Sequence, residues 1–502
     1  MKRLRWLGRI LLGLARELSD ENAYRRHLAA HHRQHSAEEW RRFSEAHLRA
    51  KYSRAKCCGL ALAVALSLSA GVASAQSSLP LPPLREQARI EQEWLRARLE
   101  RILPGLMRQH QVHMWLVVCR EYHEDPVFFS LVPPTVFSAR RRTILVFIDR
   151  GPHAGIERLA LGGGSNGGLY TVYRDPQDPN HELYGEAQWL LLRRLVEKYD
   201  PASIAINVSD DFAFADGLSS TDRGLIEAAL GPRYMQRVVR AGQLVIEYLD
   251  VRLPEMLPYY RGMMETSHSL IRRAFSNEVI TPGKTTDQDV VWWLCDQVRQ
   301  LGLGFWFQPA VRIQRPRRAG LSFLAEDAGM VIQRGDVLHV DFGFSAMRLH
   351  TDTQHMGYVL REGESSVPAG IRHALAGCNR LQQLNLEHMK PGRTGNQVLA
   401  GTLAAMRAEG LRGSVYSHSI GDHGHAAGPL IGLWDHQQGV PGRGDIPLLP
   451  GTWFSIELST LAAVPEWGGQ DLFVGLEEDA VLDEGGRMSW VLQPQTEFHL
   501  VK

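Results

Sequence analysis

Two aspartates occupy positions where a β-strand normally carries apolar side chains. Asp341 and Asp352 stand eleven residues apart in the stretch VLHVDFGFSAMRLHTDTQHMGYVL, whose other residues are largely typical of strands. A buried carboxylate without a partner is costly, so a base, a hydrogen-bond network or a metal ion must compensate it. These two positions therefore predict a chemical site within a sheet.

Three more ionisable side chains follow in similar strand-like sequence, and they are His418, Glu457 and Glu478. Any one of the five would alone be read as an edge residue or an ion-pair partner. Four carboxylates and an imidazole around one cavity would repel strongly unless cations neutralised them. Such an oxygen-rich set without thiolates suits Mn, Co, Fe(II) or Zn. Two such ions can share a hydroxide and hold it over a carbonyl carbon.

An internal repeat indicates which elements position these residues. The stretches TPGKTTDQDVVWWLCDQVRQLGL, from Thr281, and KPGRTGNQVLAGTLAAMRAEGL, from Lys390, share Pro-Gly, a basic residue and Thr before an amphipathic helix. Thr285 and Thr394 are the predicted helix N-caps. Unless the likeness of two helix starts is coincidental, the repeat predicts a pseudo-twofold arrangement of helices and strands.

The order Asp-Asp-His-Glu-Glu, with Asp-x-Gly at Asp341, resembles the M24 family of pita-bread metallopeptidases over residues 255–502. The resemblance implies a pseudo-twofold α+β catalytic domain preceded by a creatinase-like α/β domain. It also implies a peptidase of the Xaa-Pro aminopeptidase or prolidase type, which hydrolyses N-terminal residues or short peptides through a metal-bridging hydroxide. Two alternatives remain open: a creatinase-like hydrolase of a small non-peptide C–N substrate, and a non-catalytic binding protein with the same fold.

The same resemblance assigns the metal ligands. Asp341 would hold one ion, Asp352 and Glu478 would bridge both, and His418 and Glu457 would complete the second. The implied cofactor is a pair of divalent ions, with Mn preferred and Co, Zn or Fe as alternatives.

The choice between two adjacent glutamates depends on a short match. Glu478 is preferred because EDAVL is similar to the family's Glu-Asp-x-Val, which would leave Glu477 on the opposite face of the strand. His425, seven residues after His418, would stabilise the oxyanion, and Glu457 would shuttle a proton to the leaving amine. A His423–His425 metal pair is the weaker alternative.

Three departures from the family pattern concern the substrate side. The family's Asp-x-Thr-Arg is here Asp352-Thr353-Gln354-His355, and Leu476 stands two residues before Glu478 where an arginine is usual. A His-Tyr pair is expected before Asp341, and the sequence there offers no evident counterpart. Altered substrate recognition is therefore expected.

The preceding region alternates strand-like and helical runs. MWLVVC, RTILVFID, RLALGG and SIAINVS are typical of strands, and GEAQWLLLRRLVEKY is typical of a helix. This alternation predicts an α/β domain over residues 85–250.

The N-terminal region has a different composition. Residues 1–56 carry fourteen Lys/Arg against six Asp/Glu. Residues 1–58 resemble the short YbdD/YjiX-like proteins, which implies either a gene fusion or a reading frame that has been extended across a neighbouring short gene. Residues 57–75 are typical of a signal peptide and 76–84 of a linker. The expected location is periplasmic or secreted, with no stable membrane insertion after cleavage and an N-terminal anchor if cleavage fails.

Composition limits the partners of the main body. A net charge of +1 for the whole chain leaves a negative charge beyond residue 76, which argues against nucleic acid. The five cysteines form neither a disulfide framework nor a zinc-binding pattern. A peptide is the expected substrate, and a homodimer is expected by analogy with the family.

Overall fold

The computed structural model describes residues 21–31, 33–36, 38–44, 81–174, 184–316 and 329–502. The chain divides into two units, Met1–Gln76 and Ser77–Lys502. In the first unit, helix α1 (Glu21–Ala30) precedes helical residues 38–44. The signal peptide predicted at 57–75 lies outside the described residues. Among the described helices, none has both the length and the apolar character needed to cross a bilayer.

The first half of the second unit contains a six-stranded sheet with the order β4-β3-β2-β1-β5-β6. Its strands are β1 (Met114–Arg120), β2 (Arg142–Asp149), β3 (Ile156–Leu161), β4 (Thr171–Val172), β5 (Ile204–Ile206) and β6 (Val238–Arg240). The helices are α2 (Leu84–Ala97), which continues through a π-helical turn (Arg98–Ile102) into α3 (Leu103–Gln109), and α4 (Ala187–Tyr199), α5 (Ser220–Met235) and α6 (Gly242–Asp250).

Strand β1 shows why this sheet is apolar on both faces. Trp115 and Val117 face a core that includes residues of α3 and α6, whereas Met114 and Leu116 face residues of α4 and α5. Alternate residues of a strand point to opposite faces. Helices on both sides therefore require the near-continuous apolar run that the sequence shows, and the prediction of mixed helices and strands in this region is confirmed.

The second half contains a ten-stranded sheet whose main path is β14-β13-β15-β16-β11-β8-β7. Its strands are β7 (Ala310–Gln314), β8 (Val337–Phe342), β11 (Thr353–Val359), β12 (Gly413–Val415), β13 (Ser417–Ser419), β14 (Leu430–Ile431), β15 (Thr452–Val464), β16 (Gln470–Leu482), β17 (Met488–Trp490) and β18 (His499–Val501). A separate ribbon pairs β9 (Ser345–Ala346) with β10 (Leu349–His350). The helices are α7 (Leu257–Ala274), α8 (Asp287–Gln300), α9 (Ala369–His388) and α10 (Gly395–Ala408).

The helices of this half form two pairs, each with its own core. One core includes residues of α7, α8 and β8, and the other includes residues of α9, α10, β15 and β16. This arrangement agrees with the two repeats.

Short 3-10 helices occur in the connections of both halves, at Phe128–Ser130, Ala213–Ala215, Pro254–Met256, Arg443–Asp445 and Pro465–Trp467.

One of the two predicted N-caps is confirmed. The Thr394 side chain accepts a hydrogen bond from the Gln397 backbone N–H at 3.2 Å and so caps α10. In the other repeat the cap is Thr286, and the prediction of Thr285 was wrong by one residue. Thr285 Oγ1 instead accepts a hydrogen bond from the Thr281 backbone N–H at 2.9 Å and closes the Pro-Gly turn.

Candidate metal centre

The register of four neighbouring strands aligns a row of polar side chains. Asp341 on β8 pairs with Gln354 on β11, Gln354 pairs with Glu477 on β16, and Glu477 pairs with Glu457 on β15. Directly paired residues of adjacent strands point to the same face of a sheet. The row therefore presents three carboxylates and one amide on one face.

His418 and Asp352 complete this cluster. His418 Nε2 lies 3.4 Å from Glu477 Oε1, 3.8 Å from Asp352 Oδ2 and 3.9 Å from Glu457 Oε2. One potential ligand atom from each of Asp341, Asp352 and Glu477 also lies within 4.8 Å of the other two. The structure thus brings together Asp341, Asp352, His418 and Glu457 of the predicted set, with Glu477 as the fifth member.

The expectation that Glu478 faces this cluster was wrong. Its carboxylate lies on the other face of β16, where Oε2 contacts His268 Nε2 at 2.9 Å and Oε1 contacts His355 Nε2 at 2.8 Å. The physical reason is that neighbouring residues of a strand point to opposite faces. Glu477 pairs with Glu457 of the cluster, whereas Glu478 pairs with Ile456, whose side chain belongs to the apolar core.

Burial and mutual repulsion raise the pKa values of three carboxylates in the cluster. Burial, and next the charge of Glu477, raises the pKa of Asp341 to about 8. The same two causes raise the pKa of Asp352 and of Glu457 well above their usual range. Without a cation the cluster therefore retains protons at neutral pH, so a bound cation would favour the ionised form.

Two buried atoms of the cluster have no hydrogen-bond partner within the described part of the chain, and they are Asp352 Oδ1 and His418 Nε2. The other nitrogen of His418, Nδ1, donates to the Ser419 carbonyl oxygen at 3.0 Å, which directs the Nε2 lone pair towards the carboxylates. Buried acceptors without a donor are rare in proteins. This donor set fits divalent metal ions, which would satisfy both atoms.

The role of Gln354 was not predicted from the sequence. Its Nε2 donates to Glu457 Oε1 at 2.8 Å and to Glu477 Oε2 at 2.9 Å, while its Oε1 accepts from His339 Nε2 at 2.9 Å. Ser455 Oγ donates to the remaining oxygen of Glu477 at 2.8 Å. The available signal was the departure from Asp-x-Thr-Arg at this position. Gln354 orients two carboxylates without adding charge.

His425 lies at the exposed side of the cluster. Its ring centroid is 4.8 Å from that of His418 and 5.4 Å from that of Trp306, and its Nε2 lies 3.5 Å from the Tyr416 hydroxyl. Burial lowers the pKa of His425 to about 4, so the ring is neutral at pH 7. Among the described residues, no potential metal-binding group contains both His423 and His425, and the His423 ring packs against Phe214 with centroids 4.7 Å apart.

A cavity of about 840 Å³ lies beside the loop that carries His425. Its lining includes Trp94, Phe137, Arg348, His350 and His423. His350 is two residues from Asp352, and its ring centroid is 6.1 Å from that of Trp306, which also contacts His425. The same short stretch of chain therefore contributes His350 to the cavity wall and Asp352 to the carboxylate cluster.

Residues 260–484 match the model of metallopeptidase family M24. No curated protein matches the chain.

Among solved structures, similarity extends over four-fifths of the chain. X-Pro aminopeptidase from Thermotoga maritima has 18% identity and a TM-score of 0.54, with 79% of this chain and 100% of that chain covered. Xaa-Pro dipeptidase from Bacillus anthracis has 14% identity and a TM-score of 0.52, with 82% and 99% covered. The N-terminal domain of FACT complex subunit SPT16 from Cicer arietinum has 10% identity and a TM-score of 0.52, with 82% and 99% covered.

The structural similarity shows a shared pita-bread fold with a preceding α/β region. Sequence identities this low support no conclusion beyond the fold. The match to the family model covers the helices and strands that hold the carboxylate cluster. Residues 260–484, which hold the carboxylate cluster, are therefore similar to metallopeptidase family M24.

Proposed function

We propose that the chain is a metal-dependent peptidase of the Xaa-Pro aminopeptidase or prolidase type, which removes N-terminal residues or cleaves short peptides. The observation that carries this proposal is the convergence of four carboxylates and one imidazole on one face of the sheet, with two buried acceptors left unpartnered. The ligands would be Asp341, Asp352, His418, Glu457 and Glu477.

The order of the row supports two ions. Asp341 and Glu457 lie at opposite ends of the row, with Glu477 between them. Four carboxylates also carry more negative charge than one divalent ion neutralises. Divalent ions of this kind, with Mn as first choice and Co, Zn or Fe as alternatives, supply Lewis acidity and lower the pKa of water.

Glu457 is the best placed proton shuttle. Its side chain is 22% exposed, against 1% for Glu477 and 5% for Asp352, so a substrate would reach it most readily among these three. Gln354 fixes Glu457 Oε1 through a hydrogen bond and leaves Oε2 towards His418. A carboxylate in this position could take up a proton and pass it to a leaving amine.

His425 would stabilise the developing oxyanion. A neutral imidazole still donates one N–H, and a donor aimed at the carbonyl oxygen contributes most when charge develops there. The Tyr416 hydroxyl, 3.5 Å from His425 Nε2, and the edge of Trp306 restrict the orientation of the ring. We further propose that the adjoining cavity receives the apolar part of the peptide, since its walls include Trp94 and Phe137.

The test is metal-dependent hydrolysis. Protein stripped with a chelator and reloaded with Mn²⁺ is expected to release amino acids from Xaa-Pro dipeptides and tripeptides, and Asp352→Asn is expected to abolish this release. The matched control is Asp471→Asn, an exposed aspartate on β16 that pairs with Arg412. If no peptide is turned over while the metal is bound, the peptidase proposal fails.

A second candidate is a binding protein that keeps the fold without catalysis. It is favoured by the similarity to the SPT16 domain, which by its printed name belongs to a subunit of a complex. It is also favoured by the altered substrate side, where Gln354 and His355 replace Thr-Arg. This candidate predicts that Asp352→Asn leaves the measurable properties of the protein unchanged.

A further inference from the structure

A second cluster of ionisable side chains lies on the opposite face of the same sheet. It joins His268 from α7, His355 from β11 and Glu478 from β16, and one potential ligand atom of each lies within 4.8 Å of the other two. His355 and Glu478 are buried and His268 is half-buried. The proposed peptidase chemistry uses none of these three residues.

Both imidazoles approach one carboxylate through the same nitrogen. His268 Nε2 lies 2.9 Å from Glu478 Oε2, and His355 Nε2 lies 2.8 Å from Glu478 Oε1. In a tetrahedral complex with bonds of about 2.1 Å, two ligand atoms lie about 3.4 Å apart. The observed separations are about 0.5 Å shorter, so the side chains would have to move apart by that amount to share one ion.

The cluster is held by its surroundings. His355 Nδ1 lies 3.1 Å from His499 Nε2, and the Gln495 backbone N–H donates to Glu478 Oε1 at 2.9 Å. Metal-binding histidines commonly use their second nitrogen in such a contact, which fixes the tautomer and the ring orientation. His499 and Gln495 therefore supply the support that a metal site requires.

The charge of Glu478 supports a cation at this position. Both of its ion-pair partners in the described residues are histidines. A divalent ion held by the carboxylate and both imidazoles would balance the negative charge of this buried group.

We propose that His268, His355 and Glu478 form a separate site for one divalent transition-metal ion, on the face of the sheet opposite the peptidase centre. Two imidazoles and one carboxylate are a donor set that suits Zn²⁺, Co²⁺ or Fe²⁺. The ion would tie α7 to strands β11 and β16. The site does not depend on the proposed peptidase activity.

Metal counting in a background without the peptidase centre tests this proposal. The full chain carrying Asp341→Asn, Asp352→Asn and His418→Ala is stripped, dialysed against Zn²⁺ and analysed for zinc per chain. The expected result is one tightly held Zn²⁺, which is lost when His268→Ala is added. The matched control is His373→Ala, because His373 is an exposed histidine on α9 and its removal should leave the zinc content unchanged.

A second measurement needs no further variant. X-ray absorption of the Zn²⁺-loaded background protein should show scattering from two imidazoles and a carboxylate oxygen. A zinc content that does not change with His268→Ala overturns the proposal, as does an absorption spectrum without imidazole scattering. In either case the cluster is a hydrogen-bond network only. Circular dichroism establishes whether each variant is folded.

Discussion

Two adjacent residues of one strand, Glu477 and Glu478, have opposite surroundings. Glu477 faces other carboxylates and accepts hydrogen bonds from Gln354 and Ser455, whereas Glu478 lies between two imidazoles. Burial and Glu477 raise the pKa of neighbouring Glu457, while the two histidines, against the effect of burial, lower the pKa of Glu478 to about 2. The difference shows that strand parity decides which glutamate joins the carboxylate cluster.

The largest expected effect is on activity. Glu477→Gln removes an oxygen ligand from the centre of the row, so we expect kcat/KM for an Xaa-Pro peptide to fall by at least about 1,000-fold, or ~4 kcal/mol. Glu478→Gln leaves the row intact, and we expect a loss of less than about tenfold. The measurement is kcat/KM of both variants with Mn²⁺ saturating. Equal losses would remove the distinction between the two faces.

In metal-free protein, the same two substitutions should change stability in opposite directions. Glu478→Gln deprives buried His355 and half-buried His268 of their charged acceptor, and we expect it to lower the free energy of unfolding by about 3 kcal/mol. Glu477→Gln removes one of four repelling carboxylates, and we expect no loss or a gain of about 1 kcal/mol. Urea unfolding with a chelator present measures both. Destabilisation by Glu477→Gln as large as that by Glu478→Gln would contradict this account.

The two faces should also differ in their pH dependence. The pKa of Asp341 is raised to about 8, so its contribution to stability is present below its unfolded value and is lost as pH rises through about 8. The pKa of Glu478 is lowered to about 2, so its contribution persists above its unfolded value and is lost only as pH falls towards 2.

Metal-free protein should therefore lose roughly 3–4 kcal/mol of unfolding free energy between about pH 5 and about pH 8. Asp341→Asn should flatten this slope, and Glu478→Gln should not. Chemical unfolding at a series of pH values measures the slope. A slope that Asp341→Asn leaves unchanged would show that the carboxylate row is not its source.

The smallest expected effect concerns Gln354. Gln354→Ala removes the amide that orients Glu457 and Glu477 without removing a ligand, and partners of this kind contribute about 10- to 100-fold to activity or metal affinity. We expect kcat/KM to fall about tenfold and the affinity for Mn²⁺ to weaken as well. Titration of the stripped variant with Mn²⁺ checks this, and unchanged affinity together with unchanged kcat/KM would assign Gln354 to packing alone.

Much of the site could be predicted from local sequence. Asp341, Asp352, His418 and Glu457 stand out because charged or imidazole side chains interrupt strand-like runs, and the order of the five ligands carries the family resemblance. The choice between Glu477 and Glu478 could not be made locally, because it depends on the register of β16 against β15 and β11. One residue of register exchanges the faces.

The cluster of His268, His355 and Glu478 could not be predicted from the sequence for a similar reason. His268 and Glu478 are 210 positions apart and meet only through tertiary packing. His355 was visible as a departure from the family motif, but its partners were not. In the fold, the helix–strand alternation and the cap at Thr394 were predictable from local patterns, whereas the shift of the other cap to Thr286 depends on how the Pro-Gly turn closes. The domain boundary predicted between residues 250 and 255 stays a prediction.

The most direct test is anomalous X-ray diffraction from crystals of the full chain loaded with Mn²⁺. We expect a pair of manganese peaks between Asp341, Asp352, His418, Glu457 and Glu477, each about 2.1–2.3 Å from carboxylate oxygens. Crystals that bind Mn²⁺ but show no peak between these five side chains would contradict this expectation.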